Sequence, residues 1–133
     1  MTGRRVEFFR DELGAPDGRP SSESYASIAS LLVSDVGNST RWCLDLLSML
    51  EDVRTGTSDE DEWLGNSCAG VITKNGFELT DLYDDEWTFR YGLDDAHDVT
   101  VDYLDFLARD TVRSEVDQWE ATKGRRHPCR GHL

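Results

Sequence analysis

Residues 63–83 read WLGNSCAGVITKNGFELTDLY and contain two strand-like runs, 63–73 and 77–83. The runs are separated by a lysine and the pair Asn75-Gly76. Asn-Gly between two such runs is a strong hairpin signal, because a type I′ turn needs positive φ at both central positions. The segment therefore predicts a β-hairpin with a type I′ turn.

The second run predicts which of its side chains face the core. Successive side chains of a strand point to opposite faces, so Tyr83 shares a face with Phe77, Leu79 and Asp81. We therefore favour core packing over partner contact for Tyr83. Residues 87–91 also alternate, and this pattern fits either a third strand or an aromatic loop packed on the sheet.

Three segments have apolar residues at the spacing of one helical face, which predicts helices at 22–36, 39–53 and 98–110. Asp98 is the expected N-cap of the third helix. An apolar run at 6–10 predicts an opening strand. Together these elements predict an α+β fold in which a small antiparallel sheet, centred on the hairpin, packs against about three helices.

The charge distribution divides the chain into two parts. The 133 residues carry a net charge of −13. The last eleven residues contain four of the fourteen basic residues and no acidic residue, so residues 1–122 carry −17. We predict a single acidic domain at 1–122 and a flexible basic tail at 123–133. A strongly negative domain repels nucleic acid and anionic membranes and attracts basic proteins.

The cysteines and the start of the chain indicate a compartment. Cys43, Cys68 and Cys129 are odd in number and lack CxxC spacing, which favours reduced thiols in a cytosolic protein. The chain shows neither a signal-peptide pattern nor an apolar stretch long enough to span a bilayer. We therefore predict a cytoplasmic protein.

The histidines offer little support for catalysis or metal binding. His97 stands among acidic residues at a predicted loop-to-helix junction, where a solvated side chain is expected. His127, Cys129 and His132 supply only three ligands and have no second cluster upstream. Close pairs of carboxylates cannot be recognised in a chain with 27 acidic residues. We predict a protein that is not an enzyme and has no cofactor or metal.

Acidic and aromatic residues flank the hairpin and predict a binding surface. Carboxylates steer a basic partner into place, while aromatic side chains supply the contact area. The run 59–62 is also typical of a solvated loop. The candidate partner-binding residues are Asp59, Glu60, Asp61, Glu62, Asp81, Tyr83, Asp84, Asp85, Glu86 and Trp87.

Three segments resemble the small immunity proteins of contact-dependent growth inhibition and related polymorphic toxin systems. They are WLGNSCAGV at 63–71, FELTDLYDDE at 77–86 and VDYLDFL at 101–107, and the resemblance covers about residues 38–110. It implies a cytosolic antidote that binds one cognate toxin domain, commonly a basic nuclease, and covers or distorts its active site. In such a complex the carboxylates would stand in for nucleic-acid phosphates.

Two other functions remain open at this point. An acidic regulator that mimics nucleic acid would bind many basic proteins, whereas an immunity protein would select one. A small carboxylate-dependent hydrolase would require a deep pocket with two close acidic side chains. The oligomeric state is not indicated by the sequence.

Overall fold

Six strands and four α-helices make up the described residues, 5–83 and 88–133 of a computed structural model. The strands are β1 (Val6–Arg10), β2 (Pro16–Pro20), β3 (Glu60–Leu64), β4 (Cys68–Thr73), β5 (Gly76–Asp81) and β6 (Thr88–Tyr91). The helices are α1 (Ala26–Leu31), α2 (Thr40–Arg54), α3 (Leu93–Ala108) and α4 (Val112–Lys123). The predicted α+β class is confirmed.

The strands form two antiparallel sheets. β3, β4, β5 and β6 pair in that order, so each strand lies beside its neighbour in sequence. β1 and β2 form a separate two-stranded hairpin. The second of these strands was not predicted, because Pro16 and Pro20 suggested a loop. Both prolines lie at the ends of β2, where a missing backbone N–H is tolerated.

The central hairpin is confirmed as β4 and β5, but the predicted first run, 63–73, is divided between β3 and β4, and the turn differs from the predicted one. Thr73 pairs with Gly76, so Lys74 and Asn75 occupy the turn. Type I′ is wrong because, among the described residues, only glycines have positive φ. Gly76 itself has φ +138°, and a Cβ there would lie 2.5 Å from the carbonyl oxygen of Tyr91. Glycine is therefore required where β5 begins.

Residues 87–91 were predicted to form either a third strand or an aromatic loop, and the strand is correct from residue 88 onward. β6 pairs with β5 along its whole length, from Phe77 opposite Tyr91 to Thr80 opposite Thr88. The Tyr91 hydroxyl donates to the carbonyl oxygen of Ser24 at 2.7 Å and accepts from the N–H of Ile28 at 3.1 Å. These bonds hold the edge of the sheet against the first helical segment.

The first two predicted helices are present near their expected positions. A 3-10 turn leads into α1, and a π-helical turn, Leu32–Val36, follows it before Gly37 ends the segment with φ +58°. Ser39 caps α2, since its hydroxyl accepts from the N–H of Trp42.

The third predicted helix begins earlier than expected. α3 starts at Leu93, and the predicted cap Asp98 is wrong, because Gly92 is the N-cap. The carbonyl oxygen of Gly92 accepts the N–H of Ala96. His97 therefore lies on the helix and not in a loop. α4 continues the helical region after a short turn.

The four-stranded sheet buries one face against the helices. Ile72, Phe77 and Leu79 are fully buried on this inner face, and α2 and α3 pack over it. The Phe77 ring lies so close over Gly70 that a Cβ at Gly70 would overlap it. The opposite face is called the outer face below.

The segment predicted as a flexible tail is packed against the body, so that part of the prediction is wrong. His127 and Cys129 are buried, and the rings of His127 and Trp119 lie 4.4 Å apart. Arg130 donates to both carboxylate oxygens of Glu120 at 2.8 Å, which lowers the pKa of Glu120 to about 2. Lys123, Arg125 and Arg130 pair with acidic residues of the helices, which the charge count alone could not show.

None of the described helices combines the length and apolar character needed to cross a membrane.

Candidate functional site

The predicted acidic surface is split between two ends of the sheet. Glu60 pairs with Thr73, which pairs with Gly76 at the start of β5. Asp81 lies at the other end of β5, about 17 Å further along at the usual rise of an antiparallel strand. Glu60 and Asp81 therefore lie at opposite ends of the sheet, and a single surface that includes both stays a prediction.

The acidic run at the start of β3 is also divided between two faces. Glu60 and Glu62 point to the outer face and are exposed, whereas Asp61 points to the inner side and is half-buried. Asp59 is exposed in the loop before the strand. Strand alternation separates neighbouring carboxylates, so Asp61 does not belong to the outer face.

The end of β5 places Tyr83 differently from the prediction. β5 ends at Asp81, so alternation no longer directs the side chains that follow. Tyr83 is 86% exposed, and the expectation of core packing is wrong. Its N–H donates to the Asp81 carboxylate at 2.8 Å, and the N–H of Leu82 donates to the carbonyl oxygen of Ser67. The candidates Asp84, Asp85, Glu86 and Trp87 lie outside the described residues.

The outer face combines carboxylates with exposed apolar side chains. One row across the four strands consists of Glu62, Val71, Glu78 and Arg90. Glu78 and Arg90 form an ion pair at 2.7 Å. Leu64, two residues after Glu62 on β3, is 75% exposed, and Val71 is 36% exposed. This face is therefore open to solvent at its centre and along β3.

The outer carboxylates of β3 have no cationic partner among the described residues. Within residues 5–83 and 88–133, Glu60 and Glu62 form no ion pair, although seven of the basic side chains there do. β3 is also an edge strand, since β4 is its one neighbour among the strands that the structure describes. The combination leaves negative charge and an unpaired strand edge together at one border of the sheet.

A buried carboxylate fixes the loop that joins β3 to β4. Asp35 is 4% exposed and accepts the N–H of Ser67 at 3.1 Å, the Ser67 hydroxyl at 2.7 Å and the N–H of Cys68 at 3.0 Å. A Cβ at Gly65 would overlap the Asp35 carboxylate. We name these residues, Asp35, Gly65, Ser67 and Cys68, the loop clamp. It sets where β3 ends and thus where Leu64 lies.

A second group of acidic side chains holds the C-terminal elements in place. Asp45 accepts the indole N–H of Trp119 at 2.8 Å and lies 3.3 Å from the Lys123 ammonium. Asp52 pairs with Arg125 at 3.1 Å. These side chains and Asp61 line a shallow cavity of about 260 Å³. Since Asp45 and Asp52 are paired within the chain, they are less available to a partner than Glu60 and Glu62.

A buried cluster joins Glu51, His97 and Cys129, which lie far apart in sequence. His97 Nε2 is 3.3 Å from Glu51 Oε2 and 3.7 Å from Cys129 Sγ, and the sulfur is 3.6 Å from the same carboxylate oxygen. The His97 side chain is only 13% exposed, so the expectation of a solvated histidine is wrong. Arg54 donates to both oxygens of Glu51 at 2.8 Å.

The cluster is poorly suited to nucleophilic catalysis. Burial, together with the nearby Glu51 carboxylate, raises the pKa of Cys129 to about 12. Cys129 is therefore a thiol at neutral pH, whereas the nucleophile in cysteine catalysis is the thiolate. Its sulfur is also fully buried.

Sequence reasoning missed both the loop clamp and this cluster. Asp35 interrupts the apolar stripe of the first helical segment, and a carboxylate at a buried position was a usable signal. Glu51 and His97 gave no signal, because they are 78 and 32 residues from Cys129.

No protein-family model matches the chain. A search of curated proteins and a search of solved structures also found no significant match.

Proposed function

We propose that this chain is an immunity protein that binds a basic toxin domain, a nuclease in the first instance, and neutralises it. The observation that carries the proposal is the outer face of the sheet. There the edge strand β3 presents two carboxylates without a cation in the described residues, beside the exposed side chain of Leu64. The resemblance to immunity proteins is a separate argument, made from the sequence.

Charge complementarity supports a basic partner. The chain carries a net charge of −13, and the internal ion pairs occupy many of its bases. Nucleases are basic where they bind phosphate, so the carboxylates of Glu60 and Glu62 can compete for that surface. Such complementarity raises the association rate and excludes partners of the wrong charge.

Apolar contact supports a stable complex after encounter. Leu64 and Val71 on the outer face provide area that a partner can cover. Tyr83 lies at the same end of the sheet as Leu64, because the Leu82 N–H binds Ser67 in the loop that follows β3. With its side chain exposed, Tyr83 is available as an aromatic anchor at this end of the sheet.

A binding experiment with the protein encoded immediately upstream tests the proposal. We expect that protein to be toxic when expressed alone and harmless when expressed together with this chain. The purified pair should form a complex whose affinity falls at least about tenfold as salt rises from about 0.05 to about 0.5 M, because exposed charges are screened.

Three outcomes would count against the proposal or change it. A neighbour that is not toxic, or one that does not bind, would contradict the immunity function. An affinity that does not respond to salt would contradict the electrostatic mechanism. Equal binding to unrelated basic nucleic-acid-binding proteins would indicate the mimicry of nucleic acid instead.

A further inference from the structure

The side chains of Glu51, His97 and Cys129 offer one oxygen, one nitrogen and one sulfur ligand at a single point. These are the three ligand types that Zn²⁺ takes in proteins. The three ligand atoms all lie within 4.8 Å of one another. The three residues come from different parts of the chain: Glu51 from the last turn of α2, His97 from α3 and Cys129 from residues 124–133, which we call the C-terminal segment.

The spacing of the three atoms matches a tetrahedral zinc site. Ordinary Zn–S, Zn–N and Zn–O bonds at the tetrahedral angle put sulfur about 3.6 Å from nitrogen, nitrogen about 3.4 Å from oxygen and sulfur about 3.6 Å from oxygen. The corresponding distances are 3.7, 3.3 and 3.6 Å. Hydrogen bonds alone do not require all three distances to fit one metal ion.

The surrounding groups orient the three side chains as a metal site requires. His97 Nδ1 lies 3.3 Å from a carboxylate oxygen of Asp98, which leaves Nε2 for the metal. Arg54 donates to both oxygens of Glu51 and fixes the carboxylate, so a bound zinc ion would share Oε2 with this guanidinium. The N–H of Cys129 donates to His127 Nδ1 at 3.0 Å, while His127 Nε2 faces the carbonyl oxygen of Leu44. Both nitrogens of His127 are therefore in use.

We propose that Glu51, His97 and Cys129 bind a zinc ion that fastens the C-terminal segment to helices α2 and α3. Three protein ligands leave the fourth tetrahedral position to water or to a ligand from outside the chain. The proposal reverses the sequence-based expectation of no metal. That expectation grouped Cys129 with His127, which is committed to hydrogen bonds, and with His132, which is exposed.

Metal binding to the full-length chain tests the proposal. After removal of metal with a chelator, we expect the protein to bind one equivalent of Zn²⁺, measured by calorimetry and elemental analysis. Zn²⁺ in excess should raise Tm by about 5 °C, because the ion binds the folded state. Co²⁺ should give the visible bands of a tetrahedral site and a thiolate-to-cobalt charge-transfer band.

Variants assign the ligands. His97→Gln should weaken Zn²⁺ binding at least about 100-fold, and Asp98→Asn, which removes the orienting carboxylate and also its ion pair with Arg5, about tenfold. Cys129→Ala should abolish the charge-transfer band. His132→Gln and Cys68→Ala are the matched controls and should bind as the wild type does. Because Cys129 is fully buried, His97→Gln, at a partly exposed position, gives the answer if Cys129→Ala fails to fold.

Limited proteolysis tests whether zinc fastens the C-terminal segment to the helices. Arg125 and Arg126 are exposed trypsin sites at the start of the C-terminal segment. Zn²⁺ should slow cleavage there in the wild type but not in His97→Gln. Absence of stoichiometric binding to the wild type, or equal stabilisation of wild type and His97→Gln by Zn²⁺, would overturn the proposal.

Discussion

Reversing both charges in Glu60→Lys/Glu62→Lys is expected to slow association with the proposed toxin about 10- to 100-fold. The two side chains are exposed on the outer face of edge strand β3 and form no ion pair among the described residues. Lysines there would repel a basic surface where carboxylates attract it. Stopped-flow or surface-based kinetics at low salt would measure the change, and the difference should shrink at high salt.

A control variant separates the effect of charge on the outer face from the effect of total charge on the association rate. Glu12→Lys/Asp110→Lys changes the net charge by the same amount at exposed positions outside the four-stranded sheet. This variant should associate within a few-fold of the wild-type rate. Equal slowing by both variants would mean that only total charge matters, and the outer face would then lose its role as the site of encounter.

Breaking the loop clamp is expected to produce the largest loss of stability. Asp35→Ala leaves the N–H groups of Ser67 and Cys68 without their acceptor, which should lower the free energy of unfolding by roughly 2–4 kcal/mol. Gly65→Ala should have a similar effect, roughly 1–3 kcal/mol, because its methyl group would displace the Asp35 carboxylate. Urea denaturation at constant m-value would measure both.

The double variant tests whether the two residues form one unit. If the main clash is with the Asp35 carboxylate, Gly65→Ala should cost less in the Asp35→Ala background than in the wild type, although the Cβ of residue 35 remains 2.8 Å from the added methyl group. Gly131→Ala is the matched control, since a Cβ there meets no atom within 4 Å. Additive losses in the double variant would show that Gly65 is constrained by something other than the Asp35 carboxylate.

The parts of the fold that the sequence predicts are those set by local patterns. The hairpin at 68–81 and the helix α2 follow from period-two and helical spacing, together with a turn and a serine cap. The early start of α3 was missed because acidic residues before Asp98 look like a polar loop. In the helix, Asp94 and Asp95 lie in the first turn, where negative charge interacts favourably with the helix dipole.

The candidate site was only partly predictable for a geometric reason. Alternation predicts which residues of one strand share a face, but the run 59–62 has the composition of a solvated loop, so only the structure separates Glu60 and Glu62 from Asp61. Alternation also does not show that β3 and β5 run in the same direction, which puts the acidic start of β3 far from the acidic end of β5. That arrangement depends on the order and register of the strands, and it places Asp81 at the opposite end from Glu60.

Contacts between distant segments were beyond the reach of sequence patterns. The C-terminal segment has no apolar period, yet it packs through single side chains such as Cys129 and through ion pairs such as Arg130 with Glu120. Helices α2, α3 and α4 together create the site that receives it. The proposed zinc site depends on the same long-range contacts.

Amide hydrogen exchange of the free protein and of its complex with the upstream toxin tests the central proposal most directly. β3 is an edge strand, and its residues 60–64 form the acidic border of the outer face. We expect the complex to slow exchange across residues 60–64 and to leave α4 unchanged. Slowed exchange confined to the helical side of the molecule, with residues 60–64 unaffected, would contradict binding through the outer face.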